Sequence, residues 1–256
     1  MRLAGRALAL YAKVMSWAPA FLSNPDRFMA FSRWAAPMFG VIALALAAAG
    51  LYLGFTAPED YQQGQTVRIM FIHVPAAQIS MFAYVCLGVA SFLALIFRHT
   101  LADCAAQAAA PLGAAFTFLA LVTGSLWGRP MWGTWWEWDA RLTSVLVMFL
   151  LYIAYMALRA SMDDEQKAAR AAAILALVGS INLPIIHFSV EWWNSIHQGS
   201  SLFRKGGPSM PPVFWIPLLL MALSYMSAFG SLWLVGIRGE VWRRRAEAAA
   251  LRAAKG

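Results

Sequence analysis

Residues 69–97 read IMFIHVPAAQISMFAYVCLGVASFLALIF, without one Asp, Glu, Lys or Arg. As a helix rising 1.5 Å per residue, the run is about 43 Å long, more than the ~30 Å of hydrocarbon in a bilayer. Lipid satisfies no backbone N–H or C=O, so only helices and closed barrels cross it. The run is continuous rather than alternating, which selects a helix. Five further charge-free runs, at 34–58, 104–128, 142–158, 171–190 and 206–237, repeat the pattern. The shortest, 142–158, spans if Arg141 and Arg159 snorkel to opposite interfaces. The predicted fold class is an all-α membrane protein, a bundle of six transmembrane helices with short loops. Composition agrees: 61% of the 256 residues are hydrophobic and 12% charged, against about a quarter charged in soluble domains.

The net charge of +8 can suggest nucleic acid, but the basic residues form no stripe. They sit at the ends of apolar runs. Fifteen of the twenty fall in the N-terminal segment, residues 98–103, residues 159–170 and the C-terminal tail. Only Arg68, Arg129, Arg141, Arg204 and Lys205 lie in 59–68, 129–141 and 191–205. By the positive-inside bias both termini are cytoplasmic, the poorer loops face outward, and the partner of the basic residues is the lipid bilayer, not nucleic acid. The chain divides into an interfacial segment 1–33, a six-helix domain 34–237 and a basic tail 238–256, helical from Val241. Leu3, Leu10, Val14 and Trp17 suit a short amphipathic helix on the membrane. Cys86 and Cys104 form no C-x-x-C, so a redox dithiol, a zinc site and covalent haem attachment are unsupported.

The outward loops carry the chemistry. Seven of twelve tryptophans lie there or at their edges, five of them within residues 127–138. In that tryptophan-rich loop, residues 127–141, Gly128, Pro130 and Gly133 argue against a regular helix in the first half, while the part from Thr134 reads as a short interfacial helix. Each indole offers a broad apolar face and one N–H donor, a shelf suited to a flat, apolar, partly charged ligand. A plain interfacial anchor is the competing reading. Three of the four histidines, His73, His187 and His197, lie toward the same face, and imidazole is a common axial ligand of haem iron. His73 and His197 are the expected iron ligands. His187, close to His197 in sequence and beyond Pro184, reads as a packing or supporting residue. Arg129 and Arg141 bracket the tryptophans and suit two propionates; equally, Arg141 snorkels or pairs with Asp139, and Asp139 caps the fourth helix. No catalytic triad, phosphate loop or H-E-x-x-H occurs, so an ATPase, a zinc protease and a kinase are disfavoured.

Trp132-Gly-Thr-Trp-Trp-Glu-Trp-Asp-Ala-Arg-Leu-Thr143 resembles the tryptophan-rich "WWD" motif of haem-handling proteins in cytochrome c biogenesis. Asp60-Tyr-Gln-Gln63, His73-Val-Pro-Ala-Ala77, Asn182-Leu-Pro-Ile-Ile-His187, Val190-Glu-Trp-Trp-Asn194 and His197-Gln-Gly-Ser200 narrow the resemblance to the CcmC type, over roughly residues 35–235. The resemblance implies a multi-pass protein of the bacterial inner membrane that binds haem b (iron-protoporphyrin IX) on the periplasmic side and gives it to a periplasmic haem chaperone of the CcmE type. It implies bis-histidine ligation by His73 and His197, and a platform of Trp132, Trp135, Trp136, Trp138 and Asp139. It also implies a small CcmD-type helper and ABC transporter subunits of the CcmA and CcmB type. Such a protein binds and transfers haem rather than acting as an enzyme; whether it assists covalent attachment on its partner stays open. Two alternatives remain: a b-type redox subunit exchanging electrons with quinone, whose histidines would face one another within the helices, and a permease, which the lack of charges in all six runs disfavours.

Overall fold

The computed structural model describes residues 24–193, 195–197, 207 and 209–254. The amphipathic segment expected over Leu3 to Trp17, and Arg204 and Lys205, lie outside the described residues. The helices are α1 (Pro25–Thr56), α2 (Met70–Phe97), α3 (Thr100–Trp132), α4 (Ala140–Ala160), α5 (Glu165–Gly179), α6 (Asn182–Trp192) and α7 (Pro212–Ala253), with a 3-10 turn, Gln65–Ile69, leading into α2. Six helical stretches are long and apolar enough to cross a membrane, α5 and α6 together making one. The all-α six-helix architecture therefore holds.

Local chemistry sets the ends. Asn24 caps α1 by accepting from the amides of Asp26 and Arg27, with Pro25 opening the helix; α1 thus starts nine residues before the apolar run. His99 caps α3 by accepting from the amide of Ala102, and Asp164 caps α5. The fifth span breaks between Gly179 and Asn182 because Pro184 has no N–H for the Ser180 carbonyl. That carbonyl instead accepts from Leu183 at 3.1 Å. α7 runs unbroken through residue 237, so the basic tail continues the last span as one helix of about 63 Å.

α1 lies along α7, where Ser224 and Ser231 donate to the carbonyls of Ala43 and Ala36, each at 2.8 Å. α2 lies along α3, and the central core gathers Tyr84, Leu87, Met148, Tyr152 and Phe229. Tyr152 donates to the Ser80 carbonyl at 2.8 Å, which satisfies a buried hydroxyl. At one end of the bundle Arg159 pairs with Asp103 at 3.0 Å, and Arg244 joins Asp103 and Glu240. Arg244 thus ties the tail into the bundle at this basic end. The other end carries the tryptophans. Arg159 finds a carboxylate, and Arg141 donates to the Ser189 hydroxyl at 3.1 Å and the His187 carbonyl at 3.4 Å. Both side chains, expected to snorkel, thus also have protein partners.

Candidate haem-binding site

The tryptophan segment reverses the expected order. α3 runs through Gly128 and Pro130 to Trp132, while residues 134–139 are not helical. Pro130 lies inside the helix, which continues past it although its missing N–H leaves one intrahelical bond unmade. Gly133, at φ 79, closes the helix in the left-handed region, its amide on the Arg129 carbonyl at 3.1 Å. Beyond it, side chains offer the backbone other partners: Thr134 Oγ1 accepts from the Trp136 amide at 3.3 Å, and Ser125 donates to the Trp135 carbonyl at 2.7 Å. Asp139 caps α4, as expected, by accepting from the Leu142 amide at 2.7 Å.

His73 stands in the first turn of α2, against α3. Its Nδ1 lies 3.0 Å from the Ala120 carbonyl and 3.2 Å from Thr123 Oγ1. A carbonyl only accepts, so Nδ1 carries the proton and Nε2 keeps its lone pair. The ring meets the edge of Trp127 at 5.7 Å between centroids, and the Trp127 indole donates to Gln63 Oε1 at 3.1 Å. Space for the ring comes from Gly124: a Cβ there would sit 2.8 Å from His73 Cε1.

His197 lies in the connection between α6 and α7. Its Nδ1 is 3.2 Å from Asp139 Oδ2, and its ring meets the edge of Trp132 at 5.0 Å. A carboxylate fixes the Nδ1–H tautomer just as a carbonyl does, leaving this Nε2 free too. Burial pushes the His197 pKa below its usual value, against the pull of Asp139. Burial also raises the Asp139 carboxyl, but hydrogen bonds from Ser195, the Leu142 amide and His197 outweigh it and hold that group below the usual carboxylate range.

His73 and Trp132 pack on one face of α3, and His197 reaches that face only through Trp132. Gly124 and Gly128 are four residues apart, hence one turn, about 6 Å, along the same side of α3. His73 covers Gly124, and Trp132 folds back over Gly128, where a Cβ would be 2.9 Å from its indole. His197 leans on that indole. Neither Nε2 has a hydrogen-bond partner among the described residues. No cluster of three His, Cys, Asp or Glu side chains occurs among them either, so the donor set does not suit a bare metal ion. Haem supplies four nitrogens of its own and asks for two imidazoles. The residues present fit that group.

The other expected residues divide. Trp132, Trp135 and Trp138 are exposed at this end, Trp138 at 74%. Trp136 is partly covered and packs edge-on to Trp138, with its Nε1–H buried and unpartnered among the described residues. Trp138 and Trp193 flank a cavity of about 700 Å³ beside Asp139, Thr143 and Asn182. Arg129 donates to the Gly133 carbonyl and Arg141 to α6; no ion pair joins Arg141 to Asp139. His187 stands apart, exposed, its ring against Phe188 at 4.7 Å. Sequence reasoning missed Gln63, Arg68, Thr123, Gly124 and Ser195. Arg68 donates to the Ala57 carbonyl at 3.3 Å while its buried Nε has no partner among the described residues. The G-x-x-x-G spacing of Gly124 and Gly128 was the available signal for a close approach.

A family model described as heme exporter protein C, CcmC, matches residues 19–252. A protein named heme exporter protein C from Bradyrhizobium diazoefficiens is 58% identical over 224 residues, covering 88% of this chain and 85% of the relative. Proteins of the same name from Escherichia coli K12 and Paracoccus denitrificans are 46% identical over 218 residues and 44% identical over 224. They cover 85% and 87% of this chain, and 88% and 93% of their own lengths.

Proposed function

The chain belongs to the heme exporter protein C (CcmC) family, and from that premise we propose that it binds haem b at its tryptophan end and delivers it for c-type cytochrome biogenesis. The tryptophan end faces the periplasm and both termini the cytoplasm of a bacterial inner membrane. That orientation is supported by the excess of arginine and lysine at the opposite end. One observation carries the reading: two imidazoles beside the outer end of α3, His73 against Gly124 and His197 against the Trp132 indole, each with Nδ1 engaged and no partner for Nε2 among the described residues.

Haem, when bound, would supply an iron that takes imidazole nitrogens, and His73 and His197, with Nδ1 engaged elsewhere, would be the residues to hold it. Trp132, Trp135, Trp136 and Trp138 give the porphyrin an apolar ledge, and Asp139 anchors the end of that ledge to α4. Among the described residues, Arg129, Arg141 and Arg68 are cations at this end that suit propionates. The exposed indoles leave the site open on one side, so the ligand is presented rather than entombed. The receiver is a periplasmic haem chaperone of the CcmE type. A small CcmD-type helper and the CcmA- and CcmB-type transporter subunits complete the assembly.

An electron-transfer subunit is not favoured, because His197 sits in a loop and His187 has no facing imidazole. The absorption spectrum of the purified protein tests the reading. A low-spin bis-histidine spectrum is expected, altered by His73→Ala and by His197→Ala, and lost on mixing with the chaperone. Spectra unchanged in both variants would remove the ligand assignment; haem retained against the chaperone would remove delivery.

A further inference from the structure

We propose that Asp139 and Ser195 form a latch holding the His197 imidazole from its Nδ1 side, so that His197 is the ligand that lets go when haem is handed on and His73 the one that stays. This rests on the reading that both imidazoles bind haem iron.

The two histidines are held in unequal ways. His73 belongs to a continuous helix, its backbone bonded into α2. Its Nδ1–H donates to a main-chain carbonyl of a second helix, and Thr123 adds a further partner. The ring is also boxed between Gly124 and Trp127. No single side chain carries the arrangement.

His197 has no helix around it. Among the described residues, every hydrogen bond it makes ends on Asp139 or Ser195. Its Nδ1 donates to Asp139 Oδ2 at 3.2 Å, and its amide donates to Ser195 Oγ at 3.1 Å. Ser195 Oγ in turn donates to the same Asp139 oxygen at 2.6 Å. Asp139 is tied to the protein through its other oxygen, which accepts from the Leu142 amide. The donors and acceptors balance: one carboxylate, one hydroxyl and one imidazole close a small triangle, tied among the described residues to the start of α4 through Asp139 and resting on Trp132 through the imidazole. Asp139 is 8% exposed while its neighbour Trp138 is 74% exposed. A protein docking on Trp138 therefore reaches the latch through one peptide unit. Ser195 and Asp139 are positioning residues in this scheme, acting through His197.

The test uses the full chain loaded with haem, reduced, and mixed with carbon monoxide, whose binding waits for one axial imidazole to leave. Ser195→Ala removes both hydrogen bonds of the hydroxyl and should speed binding about tenfold, the factor expected for one net hydrogen bond. Ser195→Thr should restore the slow rate. Ser231→Ala, which removes a hydroxyl donating to the Ala36 carbonyl between α7 and α1, should leave it within about twofold. A second readout needs no haem: nitrogen-15 histidine resonances should show one fixed Nδ1–H tautomer for His197 in the unaltered and Ser195→Thr proteins, and an averaged signal in Ser195→Ala. A low-spin haem spectrum with an unchanged Ser195→Ala rate, or equal acceleration by Ser231→Ala, overturns the latch alone. Absence of a low-spin spectrum in the unaltered protein overturns the haem reading and the latch with it.

Discussion

Gly124→Ala adds one methyl group at the point where α3 meets His73. The new Cβ would lie 2.8 Å from His73 Cε1 and 3.3 Å from Nδ1, whereas ordinary contact begins near 3.4 Å, so something must yield by about 0.6 Å. The ring cannot slide freely, because Nδ1 is held 3.0 Å from the Ala120 carbonyl. Overpacking of this kind costs about 1–3 kcal/mol, and alanine in place of glycine inside a helix returns about 1 kcal/mol. The fold should therefore lose about 0–2 kcal/mol, while a site that tolerates about 0.5 Å of misplacement loses its ligand geometry. Haem affinity should fall about tenfold or more, with a mixed-spin spectrum. Gly230→Ala is the control: its nearest atom would be 3.8 Å away, so it keeps the helix-propensity gain without the clash. Haem titration followed by absorbance, with thermal unfolding alongside, reads both quantities. Wild-type affinity and spin state in a folded Gly124→Ala protein would refute the argument that the glycine makes room for the ligand.

Asp139→Asn keeps a capping oxygen for Leu142 but cannot receive both Ser195 and His197; haem affinity should drop about 10–100-fold, as for other groups supporting a metal-bound histidine, and an unaltered titration would contradict the role given to this carboxylate. In the haem-free protein, the folded-state pKa of His197 is depressed, so its contribution to stability is complete above about pH 6.5 and is lost as pH falls through the lower folded value. Asp139 is also depressed, so its contribution is present above its unfolded value near 4 and disappears further into acid. Thermal midpoints should thus decline in two steps toward low pH, and His197→Gln should flatten the upper step. At the basic end, the Arg159 side chain is 9% exposed, and Arg159→Ala should cost about 1–3 kcal/mol. Asp103 keeps Arg244, which limits the loss, and the haem spectrum should not change.

Much of this molecule was legible from residue order. The six apolar runs predicted six spans, and α4 exceeds its run by two residues at each end because Asp139 caps it and Arg159 has Asp103 to meet. The segment after Trp127 was misread because Gly and Pro were taken to end the helix, whereas α3 continues past Pro130 to Trp132. The serine and threonine hydroxyls that hold residues 134–136 out of a helix act through contacts no periodicity reveals. Arg141 likewise was free to snorkel or to pair with Asp139 until α6 brought it Ser189 and the His187 carbonyl.

Lipid explains the division. Hydrocarbon cannot bond a peptide group, so a long uncharged run is helical whatever its neighbours, and hydropathy with charge placement suffices to count spans. The site depends on distances between segments far apart in the chain: His73 on Gly124, His197 on Asp139 and Trp132. A hydrogen bond or a missing methyl acts over a few ångströms, and only the packing of α2, α3 and α4 decides which side chains come that close.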